Sequence, residues 1–210
     1  MEYSEIVCRW IDKQDLWKIA DGVRDQYWSE GSLPVDTENI VEFQIQLGIE
    51  PIHNLFHTIG MDAYLKGDLT AIVVDYDFYM NDKYSNRMRF SFAHELGHLF
   101  LHRYVYSQFD FASPSEWQDF ILNIPEKEYG NFEWQANEFA GRLLVPYPEL
   151  SKELDGALKK VANSDLGQYL AKDPDAVLSR ISPSICRRFG VSSEVIETRV
   201  KREGLWPPTL

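Results

Sequence analysis

Cysteine is scarce: Cys8 and Cys186 stand far apart and outside any CxxC or His-Cys spacing, which excludes a disulfide framework and a thiolate zinc site. Long apolar runs are missing too, since no window approaches the roughly 18 to 20 residues that a membrane span requires. The opening MEYSEIVCRW lacks the basic and apolar regions of a secretory leader, so the expectation is a cytoplasmic protein with two reduced thiols. Positive charge is in deficit, with 21 Lys and Arg against 33 Asp and Glu, a net −12. That balance opposes unaided contact with a phosphate backbone. Residues 179–203 are the exception: Arg180, Arg187, Arg188, Arg199, Lys201 and Arg202 face three Glu, a local +3 that leaves −15 on the remainder. Nucleic-acid contact, if any, falls to that tail. Internal repeats and low-complexity tracts are also absent.

What is present suffices for a core, because 210 residues with 44% hydrophobic content can bury one. Apolar residues recur at helical spacing from Glu5 to Trp28 (Ile6, Trp10, Trp17, Val23, Tyr27), giving one or two amphipathic helices before SEGSLP. Asp36 or Thr37 then caps a helix that Gly48 stops. IEPIHNLFHTI, DAYLKGD and TAIVVDYDFY read as a small antiparallel sheet, with KGD as a hairpin turn. A helix follows from about Asn81 to His102. A long connection spans residues 104–131, where Ser113, Pro114 and Glu116 make a capping box. NFEWQANEFAGRLLVP is a second clear helix, ended by Pro146 and Pro148. The tail SPSICRRFGVSSEVIETRVKREGL reads as two helices joined at Gly190, the second capped by Ser192 or Ser193. Three segments result: an N-terminal helical piece at 1–30, a central domain at 31–150, and a helical region at 151–210 with a helix-turn-helix-like end.

The chemistry concentrates in RMRFSFAHELGHLFLH, residues 87–102. On a helix, positions four apart differ by about 40°, so His94 and His98 point the same way and can share one zinc ion. Glu95 sits at the edge of that face, where a carboxylate reaches a metal-bound water without becoming a ligand, as HExxH chemistry requires. Gly97 leaves room for substrate or a neighbouring chain above the helix. The bland alternative is an amphipathic core helix with satisfied histidines. A third ligand decides between them. His102 lies a further turn, about 5.4 Å, along the helix and cannot close on the same ion; it reads as a helix-end or outer-shell residue. HExxHxxGxxH is ruled out, since Tyr104 stands where its third His would be. On the second helix Glu133, Ala136, Asn137 and Ala140 share a face. The alanines permit close approach, and the acid and amide make sense if Glu133 binds the metal and Asn137 holds a ligand His by its other ring nitrogen. Glu138 points away from that face and reads as solvated.

RMRFSFAHELGHLFLH followed some thirty residues later by EWQANEFAGRLLVP resembles the ImmA/IrrE family of metallopeptidases, whose pattern runs R-x-R-F-x-x-A-H-E-x-G-H and then E-x-x-A-N-x-F-A-x-x-L-L-x-P. The resemblance covers about Leu33 to Pro148. It implies zinc ligands at His94, His98 and Glu133, a catalytic Glu95, and an α+β zincin-like core with a small antiparallel sheet packed on the two motif helices and flanked by terminal helices. Members often carry an acid where this chain has Gln135, and many begin with a DNA-binding helix-turn-helix for which residues 1–30 are too short and too acidic. It further implies a regulatory endopeptidase cutting a helix-turn-helix repressor or antitoxin, associated with mobile elements or stress responses.

Tyr104, Tyr106 and Tyr129 flank the site in sequence and are candidate oxyanion donors; substrate is expected extended along the DAYLKGD or TAIVVD strand. Two other readings stay open: a metal-binding module that inactivates a repressor without cleaving it, and a DNA-binding regulator acting through the tail. A lesser one places Cys8 or Cys186 in the open zinc position of a latent state.

Overall fold

The computed structural model describes residues 3–108 and 113–208. Along them run α1 (Lys13–Tyr27), α2 (Thr37–Asn39), β1 (Gly48–Ile52), α3 (Leu55–Ile59), β2 (Ala63–Leu65), β3 (Ala71–Asp75) and α4 (Tyr76–Tyr79). The long α5 (Ser85–Leu101) follows, then α6 (Arg103–Tyr106), α7 (Pro114–Asn123), α8 (Glu126–Leu144), α9 (Tyr147–Ala162), α10 (Pro174–Phe189) and α11 (Ser193–Arg202). No helix of the described residues is long and apolar enough to cross a membrane.

The centre is the pairing of α5 with α8, with α1 packed on the outer side of α8 and β2 on α5. Small residues allow the approach. A Cβ at Gly97 would stand 3.0 Å from Ala136 Cα and 3.1 Å from its carbonyl oxygen, so the room left by Gly97 is filled by the neighbouring helix. Gly97→Ala is therefore expected to force the two helices apart, costing about 1–3 kcal/mol as overpacking does. A thermal melt checks this; an unchanged midpoint would mean that α5 and α8 part without cost.

The α+β architecture and zincin-like core hold, but the sheet is mixed rather than antiparallel throughout. Its order is β1-β3-β2, with β1 parallel to β3 (Gly48 opposite Ala71) and β2 antiparallel to β3 (Tyr64 opposite Val73). The KGD hairpin joins β2 to β3 as its sequence predicts. IEPIHNLFHTI, however, is a strand only to Ile52. Asn54 takes a left-handed backbone (φ 61°), which Asn tolerates, and α3 then carries the chain to the far edge of the sheet. The buried Asp75 secures that turn: one carboxylate oxygen accepts from Phe56 N–H (2.9 Å), the other from Asp77 and Phe78 at the start of α4.

Two further expectations change. Residues 6–12 precede α1 without helix, because Ile6 and Cys8 are buried and Cys8 N–H donates to Glu128 (2.8 Å) at the start of α8. In the tail, the first helix begins at Pro174, ahead of SPSICRRFG, and so holds Pro183 in its interior. Pro183 is on the exposed side while Leu178, Ile181 and Ile185 are buried, and their packing outweighs the ~3 kcal/mol that an interior proline costs. The Ser113 capping box, the Asp36 cap, the Gly190 joint and the Ser192 cap form as read.

Candidate metal centre

The start of α5 is tied down from two sides by the arginines of RMRF. Arg87 grips Asp62 with two bonds (2.5 and 2.6 Å) beside the sheet, and Arg89 donates to the Gly190 carbonyl (2.9 Å) at the α10–α11 joint. A helix so anchored presents His94 and His98 at a fixed height over β2.

From the facing helix Glu133 completes the group. Its Oε2 lies 3.3 Å from His94 Nε2 and its Oε1 3.5 Å from His98 Nε2, while the two Nε2 atoms are 2.9 Å apart. One donor atom from each of the three lies within 4.8 Å of the others. Asn137 Oδ1 sits 3.1 Å from His94 Nδ1. An amide oxygen only accepts, so His94 Nδ1 carries a proton, and in the neutral ring its Nε2 offers a lone pair. Glu133 Oε1 is buried with no hydrogen-bond partner. Lone pairs converging on an orphaned carboxylate oxygen are what a cation would relieve, and the donor set of two imidazoles and a carboxylate suits a first-row metal with an open position. The group can therefore hold a metal ion.

The buried groups shift one another's protonation. Burial alone would lower His94, but the Glu133 carboxylate outweighs it and lifts the imidazole to about 9. Burial also acts on Glu133, yet its two histidine neighbours hold it far below the usual carboxylate range. His98, 1% exposed, is pushed down to about 4, chiefly by burial. Glu95 is 2% exposed, and burial raises it to about 8; its Oε2 accepts from the Leu65 N–H of β2 at 2.8 Å. The catalytic candidate is thus pinned to the sheet edge.

Of the three tyrosines, Tyr104 is turned elsewhere, its hydroxyl accepting from Arg9 N–H at 2.7 Å. Burial raises Tyr106 and Tyr129, and the Glu95 and Glu133 carboxylates push both further, which places these two hydroxyls in the field of the site. Beside His94 a cleft of about 310 Å³ shares Asn137 and is walled by Phe90, Trp134, Val195 and Arg202. Neither cysteine belongs to the donor group among the described residues. Cys8 is buried against Gln135, and Cys186 lies on α10 near Ser193.

Glu138 is not solvated. At 4% exposure it accepts from Trp17 Nε1 (2.6 Å), Arg199 (2.6 Å) and Arg202 (2.9 Å), joining α1, α8 and α11. No local signal marks it, because its partners come from both ends of the chain. His102, likewise, is fully buried, and its Nδ1 stands 3.0 Å from His98 Nδ1. It is at once the C-cap of α5, its N–H donating to the His98 carbonyl, and a neighbour of the His98 ring.

Comparison with protein families finds that the model described as Peptidase_M78, IrrE N-terminal-like domain, matches residues 78–201, more than half of the chain and both halves of the metal group. Among curated proteins no match is found.

Proposed function

Since the chain belongs to the Peptidase_M78, IrrE N-terminal-like, family, we propose that it is a zinc-dependent regulatory endopeptidase, acting in the cytoplasm on a helix-turn-helix repressor or antitoxin. The observation that carries this reading is the convergence of His94, His98 and the orphaned Glu133 oxygen beside Glu95. His94, His98 and Glu133 would hold zinc, which would supply Lewis-acid chemistry toward the scissile carbonyl and an attacking water. Glu95 would take a proton from the attacking water and pass it to the leaving amine. Asn137 keeps His94 in the tautomer that ligates. Tyr129, half-buried and in the field of both carboxylates, is the donor assigned to the developing oxyanion, with Tyr106 as the other candidate.

Substrate backbone runs along β2. The TAIVVD strand is excluded because β3 is paired on both sides, whereas β2 is an edge whose Leu65 N–H already touches Glu95. The cleft beside Asn137 takes a substrate side chain.

One observation favours the metal-binding module that inactivates without cleaving: Glu95 and the side chains of β2 are buried, so β2 must be uncovered before a peptide can lie on it. The DNA-binding alternative loses ground, since Arg188, Arg199, Lys201 and Arg202 of the tail pair with Glu153, Glu138, Asp175 and Glu138. Metal analysis of wild type and Glu133→Gln, with the repressor encoded nearby incubated with wild type, tests the proposal. About one zinc per chain is expected in wild type. Glu133→Gln should bind it more weakly by more than the roughly 10- to 100-fold that loss of an outer-shell partner costs. A zinc-free wild type would sink the reading, and zinc without cleavage would favour the binding module.

A further inference from the structure

We propose that His102 and Gln135 are positioning residues that set the ring tautomer of His98, through a hydrogen-bonded chain anchored on the N-terminal segment. The proposal rests on the metal-centre reading above. If His98 offers its Nε2 lone pair toward Glu133 and His94, its ring proton is on Nδ1. The atom facing that proton at 3.0 Å is His102 Nδ1. Two imidazole nitrogens in contact share one proton, so His102 Nδ1 must accept and the His102 proton must sit on Nε2.

That Nε2 is buried and has no hydrogen-bond partner among the described residues, and neither has Gln135 Oε1. Gln135 also bears on the protonation of His102, and a bond from His102 Nε2–H to Gln135 Oε1 would satisfy both unused atoms. Which way the Gln135 amide faces is decided at its other end. Its Nε2 donates to the Arg9 carbonyl (3.0 Å) and to Cys8 Sγ (3.5 Å), which leaves Oε1 for His102. The order Arg9 carbonyl, Gln135 amide, His102, His98 has one consistent set of proton positions, and it ends with a free Nε2 lone pair on His98.

The ring planes are held as well. Phe132, fully buried and adjacent to Glu133, stacks on both imidazoles at 4.2 Å, with interplanar angles of 30° to His98 and 28° to His102. His94 has its own orienting partner in Asn137, so each histidine of the centre is set by a different device, one amide directly and one imidazole backed by an amide.

The test uses the full chain and zinc alone. Nitrogen-15 NMR of the histidine rings in the zinc-loaded protein should show His98 protonated at Nδ1 and His102 protonated at Nε2. His102→Leu removes the acceptor and is expected to weaken zinc binding by about 10- to 100-fold in a chelator competition. His102→Asn, whose amide oxygen can take the His98 proton, should recover most of that loss; a merely structural role would not distinguish the two. Zinc bound by wild type with His102 protonated at Nδ1 would overturn the proposal, as would undiminished affinity in His102→Leu. Should His102→Leu fail to fold, the wild-type tautomers decide alone. A wild type that takes up no zinc overturns this inference together with the metal-centre reading, whereas zinc with the wrong tautomer overturns this inference alone.

Discussion

Glu95→Gln is expected to lower peptide hydrolysis by about 10²- to 10⁴-fold, the share that general acid–base catalysis carries, while the zinc content stays that of wild type. The exchange keeps the size of the side chain and an oxygen that can still accept from Leu65 N–H, 2.8 Å away. It removes the ability to take a proton. Glu95 is not one of the three converging donors, so metal should be untouched. Cleavage rates on the proposed repressor substrate, measured beside metal content, check both halves. A variant that still cleaves would remove Glu95 from the mechanism, and one that loses zinc would show that the carboxylate supports the metal instead.

The largest effect on stability is expected at Glu138, away from the chemistry. Glu138→Ala takes from Arg199, 2% exposed, one of its two carboxylate partners. Removing one member of a buried ion pair costs roughly 3–5 kcal/mol. The lower end applies here, because Glu203 still contacts Arg199. For a domain of this size about 3 kcal/mol corresponds to a fall in Tm of about 6–12 °C, readable by circular dichroism. Adding Arg199→Met to Glu138→Leu should recover part of the loss, since the charge left behind is what destabilises. A Glu138→Ala protein that melts with wild type would mean that the pair contributes nothing net.

These two sites differ in how far the sequence exposes them. His94, Glu95 and His98 are legible because one helical turn fixes their relative directions whatever surrounds the helix. The same locality makes the Ser113 capping box, the KGD hairpin and the Gly190 joint readable, as each depends on bonds between residues close in sequence. Glu133 was within reach because a carboxylate and an amide on a face otherwise made of alanines do not belong in a plain core.

Glu138 misleads for the opposite reason: its partners Trp17 and Arg199 lie 121 and 61 positions away, and no periodicity of α8 reports them. Gln135 depends in the same way on the Arg9 carbonyl, 126 positions distant. The parallel pairing of β1 with β3 followed from where α3 set the chain down, not from the strands' own composition. The candidate metal-binding motif on α5 and the local starts and stops of most elements can be read from the chain alone. Tertiary structure decided which polar groups are buried, what they hold, and how close α8 stands to α5, because desolvation and pairing are set by whatever the fold brings from far along the chain.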